Sequence, residues 1–239
     1  MGYVAEMFRS VFVEEEGPIM TIDRHLLARN EVVKDRATKC IHPSSICDGC
    51  VRKNYFCLID APKNLVALPP SKHMIFDTGH YLHKQIQKEY FKKHYGRRCV
   101  EEALVVHEGL QIRGHCDLVI DHLWGVEIKS CNAAWFKRIP VIDRSRMRCQ
   151  PLYKDYFQAN IYLKCLDLRH MWVLYYQKNE SLRLEGKVTF NKSMWGVVEE
   201  KCSYLIKCAE NEEIPPFEEQ QNHSECEYHD HCFSLRNVE

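Results

Sequence analysis

The chain has 239 residues, about 45% of them hydrophobic, enough to fill the core of one generous domain. Its 33 Lys and Arg balance its 33 Asp and Glu, so a polyanion would have to be held by a local patch and not by a field of the whole molecule. No stretch reaches the ~20 uninterrupted apolar residues of a membrane span, and "MGYVAEMFRS" lacks the charged start and apolar middle of a secretory signal. A cytoplasmic protein with no membrane partner is expected; Met1-Gly2 does not mark myristoylation, because Glu6 stands where Ser or Thr is required.

In chain order, residues 1 to 38 give a weakly helical segment whose clearest stretch is "TIDRHLLARNEVVKD". "CIHPSSICDGCVRKNYF" (40 to 56) reads as a polar, cysteine-bearing loop leading into a helix, and "LVALPPS" as a linker. "FDTGHYLHKQIQKEYFKKHYG" carries Tyr81, Leu82, Ile86, Tyr90 and Phe91 at helical spacing and stops at Gly96. From 100 to 130 the period becomes that of strands: "VEEALVV", "LQIRGHCDLVI" and "WGVEIKS" suggest an antiparallel meander. A helix over about 151 to 167, strands in "MWVLYYQ" and "SLRLEGKVTF", and a helix over about 192 to 211 follow, before a polar tail with "HSECEYHDHC". The sequence predicts an α/β protein with a mixed central sheet of about four or five strands flanked by helices.

Strand alternation puts Glu127 and Lys129 on one face of "VEIKS" and Val126 and Ile128 on the other. A tight hairpin brings Asp117 opposite or diagonal to Glu127, so two carboxylates converge. Converging carboxylates repel unless a cation lies between them, and Mg²⁺ or Mn²⁺ is the oxygen-loving choice. Lys129 beside such an ion would hold charge developing at phosphorus, which points to metal-assisted phosphodiester hydrolysis. A cross-strand ion pair on a wet sheet face is the alternative. "FKKHYGRR" (91 to 98) and "FKRIPVIDRSRMR" (136 to 148) suit phosphate contacts, or simply a solvated surface.

"GHCDLVI" followed by "GVEIKS" resembles the motif of the PD-(D/E)XK nuclease superfamily, and the rest of the chain is similar to its RecB-like branch. "TGHYLHKQIQ" resembles the upstream helix whose histidine, here His83, joins the metal site, with His80 a rival one turn away. "FQANIYL" resembles the Gln-x3-Tyr signature, Gln158 and Tyr162. The resemblance implies a restriction-endonuclease-like core and hydrolysis of DNA from its ends, with Asp117, Glu127, His83 and the Ile128 carbonyl as ligands of Mg²⁺ or Mn²⁺. Lys129 would be the activator, Gln158 and Tyr162 would assist it, and Glu101 or Glu102 would stand behind. A phage or CRISPR-type setting in a bacterial or phage-infected cell is implied. No G-x4-G-K-[ST] motif occurs, so unwinding would come from a helicase or recombination partner. A structure-specific endonuclease and a non-catalytic DNA-binding module are the competing readings.

"HPSSICDGCVRKNYF" and "CEYHDHC" resemble the flanking cysteine segments of RecB-type exonucleases. Cys47 and Cys50 form a C-x2-C pair suited to chelation, and His223, Cys226 and Cys232 would complete the set, His223 standing where the family has a cysteine. Four thiolates suit zinc or a [4Fe-4S] cluster, and a set with His223 favours zinc. Residues 1–70 would then form a helical segment with half of this clasp, 71–190 the nuclease core, and 191–239 the last helix with the other half, the two ends making a metal-stapled cap.

Overall fold

In the computed structural model, which describes residues 18–29, 38–47, 49–64, 68–219 and 226–235, the expected meander is present. Helices α1 (Pro18–Ala28), α2 (Val51–Leu58) and α3 (Pro70–Gln85) precede it. Helix α3 starts at Pro70, within the segment read as a linker, because proline fits a first helical turn. It continues through a π-helical turn, Ile86–Lys92, and a last α-turn, Lys93–Tyr95, to Gly96, whose φ of 57° ends it.

Strands β1 (Cys99–His107), β2 (Ile112–Ile120) and β3 (Trp124–Cys131) then run antiparallel. The β2–β3 turn places Asp121 and His122 at positive φ, 54° and 56°, which suits a tight hairpin. Arg98 clamps Asp121 with two bonds of 2.5 Å.

After β3 come the short helix α4 (Ala133–Phe136), strands β4 (Val141–Asp143) and β5 (Arg148–Cys149), helix α5 (Tyr153–Cys165), strands β6 (His170–Gln177) and β7 (Arg183–Val188), and helices α6 (Lys192–Glu210) and α7 (His229–Ser234). The sheet has seven strands in the order β1-β2-β3-β6-β7-β5-β4, not four or five. The additional pair, β4 and β5, is three and two residues long, too short to show a period in the sequence. β6 lies parallel to β3, and a parallel return needs a crossover, supplied by the segment containing α5.

Helix α5 lies between two apolar layers. Ala159, Tyr162 and Leu163 pack on the sheet with Cys116, Val119, Met171 and Val173. Phe157 and Ile161 pack away from it, against Trp195, Val198, Cys202 and Leu205 of α6 and Tyr55 and Phe56 of α2. Ile86, at the end of α3, packs on the other side of the meander with Leu118, Ile120, Val126 and Ile128. No helix among the described residues is long and apolar enough to cross a membrane.

Candidate active site

The β2–β3 ladder runs Ile120↔Trp124, Val119↔Gly125 and Leu118↔Val126. Beyond it a carboxylate replaces a strand partner: Oδ2 of Asp117 accepts the Ile128 backbone N–H at 2.6 Å. Asp117 Oδ1 lies 3.5 Å from Nδ1 of His83 on α3. His80, the rival, is exposed and lies near Asp77. The backbone of Asp117 is held too, since Nε2 of Gln87 donates to its carbonyl at 3.2 Å and to Oε1 of Glu102 at 2.6 Å. Gln87 sits in the π-helical turn, whose wider spacing sets adjacent Ile86 and Gln87 both into the protein. Of the two glutamates flagged from sequence, Glu102 joins this group, while Glu101 faces Lys92 at 4.0 Å.

On β3, Oε1 of Glu127 accepts from Nζ of Lys129 and from Nε2 of Gln158, both at 2.9 Å. Lys129 also donates to Oε1 of Gln158 at 2.8 Å, which closes a triangle. The second Gln158 amide hydrogen goes to the Tyr162 hydroxyl at 2.7 Å. Only one orientation of the amide satisfies these partners, oxygen toward the ammonium and nitrogen toward the carboxylate. One turn before Gln158 on α5 lies Asp155, 3% exposed, with Oδ1 3.8 Å from Lys129 Nζ. Its Oδ2 accepts from the Tyr175 hydroxyl at 2.7 Å, and that hydroxyl accepts the Leu152 N–H at 2.9 Å.

Burial pushes the Glu127 carboxyl up to about 7, Lys129 opposing the shift and the nearby Asp117 charge adding to it. Burial also works against charge on Lys129, but Glu127 and Asp155 outweigh it, so its pKa lies above the ordinary lysine value. Burial and Glu127 raise the Tyr162 phenol, which stays protonated. The site therefore holds a fixed ammonium beside a carboxylate poised to change charge.

Lys129, Asp155 and Gln158 line a cleft of about 390 Å³ that Ser44, Trp135 and Lys154 also border. The two basic runs are partly neutralised: Lys93 pairs with Glu89, Arg98 with Asp121, Arg146 with Asp143 and Arg148 with Glu185. Arg138 instead lies over Trp135, 5.2 Å from the ring centroid.

The cysteine segments meet on the far side of α5. Cys47 and Cys232 are buried in the cluster containing Phe56 and Tyr228, and Cys226 packs against it. Cys50 is close enough to Cys226 to feel its charge; burial is the larger cause of its raised thiol pKa. Protein contacts join the two segments and their flanks: Lys53 approaches Glu227 at 3.4 Å, and beyond the segments the Asn64 N–H donates to the Glu227 carbonyl at 2.6 Å, Lys63 approaches Glu227 at 3.5 Å and Arg52 Nε donates to the Pro215 carbonyl at 2.5 Å. His223 lies outside the described residues.

The sequence reading does not include Asp155 or Gln87: Asp155 shares a helix face with Gln158, three residues on, but nothing in the sequence shows its partner Tyr175, and nothing local marks Gln87.

No protein-family model and no curated protein matches the sequence. Among solved structures, the alkaline exonuclease LHK-Exo from Laribacter hongkongensis matches with a TM-score of 0.53 at 13% identity, over 79% of this chain and 93% of that one. The chain shares its fold with an alkaline exonuclease. The complex of LHK-Exo with dAMP matches with a TM-score of 0.52 at 14% identity and the same coverage.

The convergence of Asp117 and Glu127 raises the question of a divalent metal. No three His, Cys, Asp or Glu side chains among the described residues stand grouped as metal ligands: Glu127 Oε1 is taken by Lys129 and Gln158, and Asp117 Oδ2 by Ile128. Glu127 Oε2, however, is buried without a hydrogen-bond partner among the described residues. A buried carboxylate oxygen left unpartnered is costly, and with Asp117 Oδ1 beside His83 it makes an oxygen-rich donor set of the kind Mg²⁺ and Mn²⁺ select. These two oxygens are the donors the site would offer an ion, without three grouped ligands among the described residues.

Proposed function

We propose that the chain is a Mg²⁺- or Mn²⁺-dependent deoxyribonuclease that hydrolyses phosphodiester bonds from DNA ends, serving phage or CRISPR-type DNA processing beside a helicase or recombination partner. The Glu127–Lys129–Gln158 triangle, set next to the unpartnered Glu127 oxygen on an alkaline exonuclease fold, carries this reading. Asp117, Glu127, His83 and the Ile128 carbonyl would hold the ion, which when bound polarises the phosphate and activates water. Lys129 stays protonated between Glu127, Asp155 and Gln158 and directs an N–H at the phosphate oxygen on which charge grows. Gln158 fixes the ammonium, and Tyr162 fixes Gln158.

The test is digestion of end-labelled linear DNA and of closed circular DNA with Mn²⁺ or Mg²⁺, wild type against Lys129→Ala. Loss of linear DNA with intact circles is expected of the wild type alone. Nicked circles would make the chain an endonuclease, and linear DNA left intact by both proteins would end the hydrolytic reading.

For the cysteine segments, we infer a structural ion, zinc or a [4Fe-4S] cluster with zinc favoured, held by Cys47, Cys50, Cys226 and Cys232 or by a set that includes His223, closing residues 1–70 on 191–239. Cys47, Cys226 and Cys232 belong to one apolar cluster and Cys50 lies near Cys226, which supports it, although no three of them stand grouped as ligands among the described residues. Elemental analysis, with an absorption spectrum to separate colourless zinc from brown iron-sulfur, tests it; protein that carries neither metal after aerobic and anaerobic purification refutes it.

A further inference from the structure

The cleft beside Lys129 has more chemistry than phosphodiester hydrolysis uses. Ile139, Leu152 and Tyr175 contribute apolar surface to its lining beside polar Ser44, Ser130 and Asp155, and Trp135 lines it with 41% of its surface exposed. Helix α4 follows β3 after a single residue, Asn132, whose Oδ1 accepts the Trp135 N–H at 2.9 Å. This backbone N–H ties the main chain of Trp135 to the end of the strand that carries Lys129. Two cations lie on the indole, Lys154 Nζ at 4.7 Å and Arg138 Cζ at 5.2 Å from the ring centroid. Among the described residues neither forms an ion pair with a carboxylate, unlike neighbouring Arg146 and Arg148. At about 390 Å³ the cleft is in the size range of small-ligand sites.

An exposed aromatic ring, apolar side chains and two cations without a carboxylate partner among the described residues, beside Lys129, match a nucleotide piece by piece. We propose that this cleft is a nucleobase subsite: Trp135 stacks on the base of the terminal nucleotide, and Lys154 and Arg138 leave the indole face to meet flanking phosphates. This assignment rests on the nuclease reading and names the part of the substrate that the site grips. Stacking on a π-face is tolerant of base identity, so the subsite would hold any terminal nucleotide in register with Lys129.

The test is a cycle in binding, with Ca²⁺ replacing Mg²⁺ so that hydrolysis is suppressed. Affinity for a labelled single-stranded oligonucleotide is measured for wild type, Trp135→Phe and Trp135→Ala. Three oligonucleotides are used: one intact, one abasic at its 5′ terminus and one abasic at its 3′ terminus. Trp135→Ala is expected to weaken binding of the intact strand roughly 10-fold and Trp135→Phe to retain most of it. On the oligonucleotide abasic at the end that enters the site, wild type is weakened by a similar factor and Trp135→Ala adds nothing further. Equal losses on all three strands, no loss at all, or no wild-type binding at near-millimolar protein each overturn the subsite. Digestion of linear DNA by wild type in Mn²⁺ is read separately: turnover with an additive cycle removes the subsite alone, whereas absent turnover removes the nuclease reading whatever the cycle gives.

Discussion

Lys129 and Gln158, 29 residues apart, are bonded at 2.8 Å while both hold the same oxygen of Glu127 at 2.9 Å. A strand thus carries the charges and a helix fixes how they point. Gln158→Leu removes the acceptor that orients the ammonium and a donor to Glu127 together. The expected outcome on linear DNA is a fall in kcat of ~10²-fold with KM little changed, because the lost interaction acts on the transition state and not on binding. An equal rise in KM with kcat intact would assign Gln158 to binding.

Tyr175 supports Lys129 from a distance by holding Asp155 and the Leu152 N–H. Tyr175→Phe leaves a buried carboxylate oxygen and a backbone amide without their partner, a loss of about 1–3 kcal/mol. Urea denaturation should show a lower midpoint at unchanged slope, with turnover reduced several-fold and not abolished.

Glu127 links stability to pH. Its carboxyl is raised in the folded protein to about 7 from an ordinary 4.5. Between those values the native state binds the proton and the unfolded state has lost it, so stability falls as pH rises through this window. With chelator present, the melting temperature should drop from pH 5 to pH 8. Glu127→Gln should flatten that slope, and Mn²⁺ should restore the wild type at pH 8, where the carboxylate is ionised. Parallel slopes for wild type and Glu127→Gln would assign the effect to another group.

Gly186 sets the distance between β7 and the start of α5. A Cβ there would lie 2.5 Å from Cγ of Pro151 and 3.0 Å from the Cys149 carbonyl oxygen. Gly186→Ala is expected to cost about 1–3 kcal/mol by overpacking, seen as a lower denaturation midpoint, whereas Gly196→Ala, which meets nothing within 4 Å, should stabilise α6 slightly. If both variants unfold at the wild-type midpoint, β7 and Pro151 have room to separate.

The meander and the shared face of Glu127 and Lys129 were legible because a period of two is written locally in "VEIKS". The 158/162 pair was legible through a motif, not through periodicity, because α5 is buried toward both the sheet and α6 and shows little polar alternation. Asp155 and Gln87 were not. Their worth depends on partners far along the chain, Tyr175 and the Asp117 carbonyl, and a buried polar residue looks like a surface one until those partners are known. β4 and β5 escaped for a different reason: at three and two residues they are too short for a period of two to show.

Enclosure of α5 between two layers sets where the gene can tolerate length changes. Deleting one residue between 155 and 162 would rotate everything beyond it by about 100°, swinging Tyr162 out of reach of Gln158 and driving Phe157 or Ile161 out of register with α6. The stretch joining β3 to α5 is under no such angular constraint at its β4–β5 hairpin. Length changes should therefore be tolerated best at residues 144–146, short of Met147, whose carbonyl accepts the Glu185 N–H at 2.9 Å, while the helix keeps a constant length.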